Sequence, residues 1–197
     1  MPPRVACLGD SITLGFGIRE KGDDHSYPAQ LQEMLGNKTT VGNFGQNGAT
    51  VASYIKSNLE NAMRFKPDVV VIILGANDAS TNNRPTKDAY IPGYKKIITQ
   101  LRSLPTHPHI YICYPTPAFA ANVFNIQEEA ILQEIPMLEK MAAEMKVDVI
   151  DLHTALKGHG DLFPDHVHPN SDGAAIIAKA VYRALTGTDF ADRIPNA

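Results

Sequence analysis

Four short polar segments hold the residues of this sequence whose types could do chemistry. Residues 9–12 (Gly-Asp-Ser-Ile) supply a hydroxyl near the amino terminus, and residues 165–168 (Asp-His-Val-His) supply a carboxylate and imidazoles. Between them come a glycine-rich segment, residues 43–50, and then residues 75–78 (Gly-Ala-Asn-Asp). A hydroxyl nucleophile, a base, a carboxylate that orients the base and donors for an oxyanion are the components of acyl transfer.

Ser11 is the candidate nucleophile, and it needs a base because a serine hydroxyl is a weak nucleophile at neutral pH. His168 suits this role, since an imidazole titrates near neutral pH. Asp165 precedes it by three residues, and its carboxylate could hold one ring nitrogen while the other faces Ser11. Each residue alone has a plainer structural explanation, so the predicted catalytic set depends on their convergence.

The hydrophobic pattern predicts alternating strands and helices along the whole chain. The predicted strands are residues 5–8, 39–42, 69–74, 109–114 and 147–152. The predicted helices are residues 27–35, 51–65, 87–104, 125–145 and 171–185. Such alternation implies one parallel sheet with helices on both faces. Ligands bind these sheets at the carboxyl ends of the strands, and three of the four polar segments directly follow a predicted strand.

Length, charge and hydropathy restrict the class of protein. The 197 residues are predicted to form one domain, residues 1–197. The net charge of −3 lacks the basic field that a nucleic acid partner needs. The apolar runs are too short to cross a bilayer, so membrane insertion is not expected. Cys7 and Cys113 fall in predicted strands and are expected to be free, buried thiols.

The sequence as given has no secretory signal before Arg4. This favours a cytoplasmic location, with a secreted or periplasmic location as the alternative if a leader has been removed. The sequence predicts no particular oligomeric state.

Together the four segments resemble the SGNH hydrolases, also called the GDSL esterase/lipase family. Residues 9–12 match the GDS[LI] motif of that family, residues 75–78 its GxND motif and residues 165–168 its DxxH motif, in the same order. The glycine-rich segment matches the remaining block. The resemblance spans the whole chain and implies a three-layer α/β/α fold of flavodoxin-like architecture, with about five parallel strands.

The resemblance also implies an oxyanion hole formed by the amides of Ser11 and Gly48 and the side chain of Asn77. Gly48 suits this role because a residue without a Cβ lets the backbone approach the substrate. Gly45 is the alternative to Gly48 as the glycine whose amide contributes to the oxyanion hole. Asp10 and Asp78 are expected to be structural acceptors of backbone N–H groups and to have no catalytic role.

Metal-dependent chemistry is disfavoured, and no metal or cofactor is expected. His166, His168 and Asp165 form only a poor set of metal ligands. Residues 15–17 (Gly-Phe-Gly) suggest a dinucleotide-binding loop, which would need a third glycine at position 20. That position is Glu20, so nucleotide binding is disfavoured.

A rival pair, Asp151 and His153, follows the fifth predicted strand. Strand alternation places both side chains on one face, which is awkward for a contact that orients the imidazole. His153 is therefore expected at a helix start or on the surface.

The expected substrate is a small-molecule ester. Phe119 and Phe124 are candidate walls of its pocket, with ordinary core packing as the alternative. Short loops beside the cleft favour a short acyl group, acetyl, on a polar leaving group such as a sugar. The alternatives are a lysophospholipase, a thioesterase or a non-catalytic glycan-binding module on the same fold, and hydrolysis is not distinguished from acyl transfer.

Overall fold

A five-stranded parallel sheet forms the centre of the protein in a computed structural model, which describes residues 3–20, 23–83 and 89–190. The strands are β1 (Arg4–Gly9), β2 (Arg19–Glu20), β3 (Asp23–Asp24), β4 (Thr40–Gly45), β5 (Val69–Ile73), β6 (His109–Cys113) and β7 (Asp148–Ile150). The helices are α1 (Ser11–Leu14), α2 (Tyr27–Leu35), α3 (Val51–Ser57), α4 (Leu59–Arg64), α5 (Tyr90–Arg102), α6 (Glu128–Met145), α7 (Leu152–Leu156) and α8 (Ser171–Thr186). Short 3₁₀ turns cover Gly36–Lys38 and Gly160–Leu162.

The central sheet has the strand order β4-β1-β5-β6-β7, with all neighbours parallel. The order reverses between β1 and β5, which is the topological switch point where such sheets bind ligands. Gly9, the last residue of β1, lies opposite both Gly45 of β4 and Ile73 of β5. The three strands therefore end at one level, and the segments that follow them meet there.

Alternation along the strands builds two apolar layers. Val5 and Cys7 of β1 face one core, and Ala6 and Leu8 face the other. Helices α2, α7 and α8 pack on the first side and α3, α4 and α5 on the second, while α6 contributes to both. A central strand buried on both faces needs a continuous apolar run, as the run of five β-branched residues in β5 provides. The predicted three-layer α/β/α fold is confirmed.

Several element boundaries differ from those predicted. The strand predicted for residues 39–42 runs on to Gly45, and the strand predicted for residues 147–152 is shorter because α7 begins at Leu152. The helix predicted for residues 51–65 is broken at Asn58, whose Nδ2 donates to Phe44 O. The helix predicted from residue 87 is described from Tyr90 onward, since residues 87 and 88 lie outside the described residues.

Other features of the structure compare differently with the sequence predictions. The β2–β3 hairpin was not predicted, because strands of two residues have no measurable periodicity. The helix predicted from residue 125 begins at Glu128.

Cys7 and Cys113 are buried and free, as predicted. Among the described helices, none combines the length and apolar character that a bilayer crossing would need.

Gly45 allows β4 to end directly against α1. A Cβ atom on Gly45 would lie 2.1 Å from Leu14 N and 2.6 Å from Leu14 Cα, far inside contact distance. Asn43 fixes the same junction, since its Nδ2 donates to Thr13 O and its Oδ1 accepts from Gly45 N. The position of α1, and with it the position of Ser11, depends on this close backbone approach.

We expect Gly45→Ala to lower the free energy of unfolding by on the order of 3 kcal/mol, because backbone rather than a flexible side chain would have to move. The matched control is Gly158→Ala, at an exposed position with φ of 91° and open space around the added Cβ. Gly158→Ala should lower the free energy of unfolding by about 1 kcal/mol, because alanine is strained in a left-handed backbone conformation. Urea unfolding of both variants measures the difference, and equal losses would contradict this account of Gly45.

Candidate active site

Three side chains from two distant parts of the chain form one line of hydrogen bonds at the carboxyl edge of the sheet. Ser11 Oγ lies 2.8 Å from His168 Nε2, and His168 Nδ1 lies 2.7 Å from Asp165 Oδ2. Because an ionised carboxylate only accepts, the proton of the ring lies on Nδ1 and donates to Asp165. His168 Nε2 is then left to accept from the Ser11 hydroxyl. This is the arrangement that general-base activation of a serine needs.

The turn after β1 presents Ser11. Asp10 caps α1, with its Oδ1 accepting from Ile12 N at 2.9 Å, and Ser11 is the first helical residue. Gly15 ends the helix in a left-handed conformation with φ of 91°. Ser11 is only 7% exposed and His168 only 6%, so the hydrogen bond between them is shielded from bulk water.

Asp165 is held by the loop that precedes α8. Its Oδ1 accepts from the backbone N–H groups of Val167 and His168 at 3.0 and 2.7 Å. Burial alone would raise the pKa of Asp165, but these bonds and the bond from the His168 ring outweigh it, so the pKa is lowered. The carboxylate is therefore ionised at neutral pH and can stabilise a positive charge on the imidazole.

His166 takes no part in this line of hydrogen bonds. It is exposed, has a positive φ of 68°, and contributes only its backbone, donating to Phe163 O and accepting from Phe119 N. Across residues 3–20, 23–83 and 89–190, no group of three or more His, Cys, Asp or Glu side chains is arranged to hold a metal ion.

A cavity of about 150 Å³ opens over the Ser11 hydroxyl. Its lining consists of Ser11, Phe16, Asn47, Gly48, Asn77, Phe124, Ile126 and His168. The N–H groups of Ser11 and Gly48 donate no hydrogen bond to any residue that the structure describes. Gly48 has a positive φ of 68° and open space where a Cβ would be. Two residues that line the cavity thus have backbone donors with no acceptor among the described residues.

The side chain of Asn77 adds a third donor at this cavity. Its Nδ2 donates to Ala49 O at 3.2 Å and makes a longer contact of 3.4 Å with Asp10 Oδ2. Gly45, the competing glycine, lies elsewhere: its N–H donates to Asn43 Oδ1, and it does not line the cavity. Of the two glycines that the sequence left as alternatives, Gly48 is the one that lines the cavity together with Ser11.

The two candidate pocket phenylalanines separate in the structure. Phe124 lines the cavity, with its ring centroid 4.9 Å from that of His168. Phe119 packs on Phe163 at 4.9 Å, is absent from the cavity wall, and has the core-packing role that was its alternative. Sequence reasoning missed Phe16, whose ring lies 4.4 Å from His168. The only signal for Phe16 was its position five residues after Ser11.

A hydrogen bond between Glu128 and the buried His153 supports the loop that carries Phe124. Glu128 Oε1 lies 2.8 Å from His153 Nε2, and Glu128 Oε2 accepts from Ala118 N at 2.8 Å. His153 is at the start of α7 as predicted, but it is buried rather than on the surface. Asp151 caps α7 by accepting from Thr154 N, so the rival dyad does not form. The sequence had no signal for Glu128, because its partner is 25 residues away.

Two further carboxylates are buried beneath the site. Burial raises the pKa of Asp10 from 3.8 to about 7, although bonds from Ile12 N and Asn77 act against the rise. Burial likewise raises the pKa of Asp78 to about 7, and the nearby Asp10 adds to the shift. Asp78 Oδ2 accepts from Val51 N, and its Oδ1 has no partner among the described residues. Both therefore accept backbone N–H groups, as predicted.

Comparison with known proteins identifies the fold as that of the SGNH hydrolases. The chain belongs to the GDSL-like lipase/acylhydrolase family, whose model matches residues 7–176. The resemblance seen in the four sequence segments is confirmed.

Individual relatives agree with this assignment. An acetylxylan esterase from Xylanibacter ruminicola is 35% identical over 207 residues, which cover 92% of this chain and 43% of that protein. The chain thus spans less than half the length of this curated relative. A lipase/acylhydrolase from Enterococcus faecalis superposes with a TM-score of 0.79 at 22% identity, covering 94% of this chain and 96% of that one. A catalytic mutant of an acetylxylan esterase from Geobacillus stearothermophilus gives a TM-score of 0.74 at 20% identity, covering 94% and 96%. At these identities the two structures support the fold alone.

We expect Asp78→Asn to flatten the dependence of stability on pH between about pH 4 and 7. In that range the folded protein keeps a proton on Asp78 that the unfolded chain releases, so the contribution of Asp78 to wild-type stability falls as pH rises. Asparagine can still accept from Val51 N but cannot ionise. The fall should therefore shrink by about 1 kcal/mol or more, since one pKa unit corresponds to about 1.4 kcal/mol.

Urea unfolding at pH 4.5 and pH 8 measures this change. Asp161→Asn, at an exposed aspartate, serves as the control and should keep the wild-type slope. A wild-type slope in Asp78→Asn as well would show that Asp78 does not carry a raised pKa.

Proposed function

We propose that this protein is a serine esterase that removes acetyl or similarly short acyl groups from a carbohydrate or another small polar alcohol. The observation that carries the proposal is the line of hydrogen bonds from Ser11 through His168 to Asp165 beside a small cavity. A binding module would not need a base aligned with a hydroxyl.

The acylation step uses Ser11 as nucleophile and His168 as base. Ser11 Oγ attacks the ester carbonyl carbon while His168 Nε2 takes its proton, which gives a tetrahedral oxyanion and an imidazolium. Asp165 stays ionised and stabilises the imidazolium through its bond to Nδ1. As the carbon–oxygen bond to the leaving group breaks, the imidazolium returns the proton to the departing oxygen. An alcohol leaves, and the acyl group remains on Ser11.

Deacylation repeats the sequence with water. His168 takes a proton from water as its oxygen attacks the acyl carbon, and the second tetrahedral intermediate collapses with release of Ser11 Oγ. The imidazolium protonates Ser11, so the carboxylic acid leaves and the starting enzyme is restored. No cofactor enters this scheme.

The oxyanion is stabilised by three donors in the proposal: the N–H groups of Ser11 and Gly48 and the Nδ2 of Asn77. The two backbone groups have no other partner among the described residues. The oxyanion would replace the longer of the two Asn77 contacts, that with Asp10 at 3.4 Å. A single such donor typically contributes about 10²–10³-fold in turnover.

The cavity favours a short acyl group. At about 150 Å³, with Phe16, Phe124 and Ile126 as its apolar walls, it gives a methyl-sized tail an apolar environment but leaves little room for a long chain. The name of the Xylanibacter ruminicola relative points to acetylated xylan as that protein's substrate. Both facts favour an acetylesterase over a lysophospholipase or a long-chain thioesterase.

We expect Ser11→Ala to reduce the hydrolysis of p-nitrophenyl acetate and of acetylated xylooligosaccharide by about 10³-fold or more, because no nucleophile remains. Ser103→Ala, at an exposed serine at the end of α5, is the matched control and should retain wild-type turnover. Wild-type turnover in Ser11→Ala, with the fold verified by circular dichroism, would reject the nucleophile.

The acyl group is tested on the wild-type protein with a series of p-nitrophenyl esters from acetate to octanoate. The specificity constant kcat/KM should fall as the acyl chain lengthens beyond the cavity. A maximum at octanoate would replace the acetylesterase proposal with a long-chain acylhydrolase.

His168→Ala should lose nearly as much turnover as Ser11→Ala, since the hydroxyl would have no base. The matched control is His166→Asn, which removes the neighbouring imidazole while tolerating the positive φ of 68° at this position. Turnover of His166→Asn should stay close to that of the wild type. The opposite ranking in steady-state assays would mean that the base is His166.

A further inference from the structure

Phe16 stands between two cavities at the active site. On one side is the cavity over Ser11, and on the other is a second cavity of about 200 Å³. Both are walled by Phe16 and His168, and Phe16 is 44% exposed. A large aromatic ring exposed beside a catalytic imidazole is a surface for ligand contact, since apolar area of this size is unfavourable in water.

The chemistry of ester cleavage gives the two cavities different occupants. The oxyanion donors Gly48 and Asn77 line only the first cavity, so the ester carbonyl must lie there. The leaving oxygen must come within hydrogen-bond distance of His168 Nε2 to receive its proton. His168 also lines the second cavity, so a leaving group that extends along the imidazole would enter that cavity.

The second cavity suits a sugar ring. Its walls combine the apolar surfaces of Phe16, Ile18, Pro164 and Pro169 with the polar side chains of Asp165 and Asn170. A pyranose has the matching pattern, with apolar C–H faces that stack on an aromatic ring and hydroxyls around its edge.

Asn170 has a hydrogen-bond donor to offer a sugar hydroxyl. Its Oδ1 accepts from Gly173 N at the start of α8. Its Nδ2 donates to none of the residues that the structure describes. The helix cap thus fixes the side chain and leaves its amide hydrogens for a ligand.

Size supports the use of both cavities by one substrate. Small-molecule sites typically enclose about 300–1,000 Å³. Neither cavity reaches that range alone, whereas the two together do. An acyl group in the first and one sugar ring in the second would fill the pair.

We propose that the second cavity, walled by Phe16, Ile18, Pro164, Pro169, Asp165 and Asn170, is the leaving-group subsite and binds one pyranose ring stacked on Phe16. This inference deepens the proposed esterase function and rests on it. Phe16 is then the residue that favours a sugar ester over an ester of a small alcohol.

The test compares two acetate esters that differ only in their leaving groups, a mono-O-acetylated methyl xylopyranoside and ethyl acetate. We expect Phe16→Ala to lower the ratio of kcat/KM for the sugar ester to kcat/KM for ethyl acetate by about tenfold, the low end for one lost apolar contact. Phe16→Tyr keeps the ring and should retain most of the ratio. Met137→Ala, at a methionine of α6 that is 46% exposed, controls for loss of apolar surface and should leave the ratio unchanged.

Three outcomes would overturn the subsite. An equal fall with both esters would mean that Phe16 acts by packing on His168 rather than by binding the leaving group. Unchanged kcat/KM with both esters would mean that Phe16 contacts no substrate. A higher kcat/KM of Phe16→Ala than of the wild type on butyrate and hexanoate esters would mean that the second cavity takes the acyl chain.

The wild-type measurements separate this inference from the proposed function. If the wild type hydrolyses neither acetate, the esterase proposal falls and the subsite falls with it. If it hydrolyses both and the ratio does not respond to Phe16→Ala, only the subsite is overturned.

Discussion

The strands β1, β4 and β5 end at one level, and the site depends on this register. Gly9 lies opposite both Gly45 and Ile73, so the segments that carry Ser11, Gly48 and Asn77 leave the sheet side by side. Parallel ladder hydrogen bonds fix the relative shift of neighbouring strands. A slip by one residue would also turn the apolar side chains of a strand to the wrong faces. The packing of both cores therefore holds the proposed catalytic groups in place.

Two carboxyl groups are buried at the same edge of the sheet, where their ionised forms are unfavourable. Asp10 and Asp78 lie almost completely out of water, and burial raises the pKa of each to about 7. Each accepts from a backbone N–H at the start of a helix, Ile12 N and Val51 N respectively. Local rules for stability are commonly broken at functional sites, where geometry matters more than the burial of a charge. Here the two carboxylates fix the turns that present Ser11 and Asn77.

Sequence patterns predicted the fold because burial imposes strong periodicity on its elements. The β-branched run of β5 could only be a strand covered on both faces. The break between α3 and α4 at Asn58 was not predictable, since its cause is a bond to Phe44 in another element. The hydrogen bond between Glu128 and His153 was not predictable for the same reason. Short elements such as β2 and β3 have no period to detect.

The sequence by itself determined the family, the parallel α/β fold and the residue types of the proposed site. Motif order and hydrophobic periodicity can be read directly from the order of the residues. Only the tertiary structure decided that Gly48 rather than Gly45 borders the cavity, and that Phe124 and Phe16 wall it while Phe119 enters the core. These outcomes depend on distances between segments far apart in sequence. Such distances follow from the packing of the whole chain and from no local pattern.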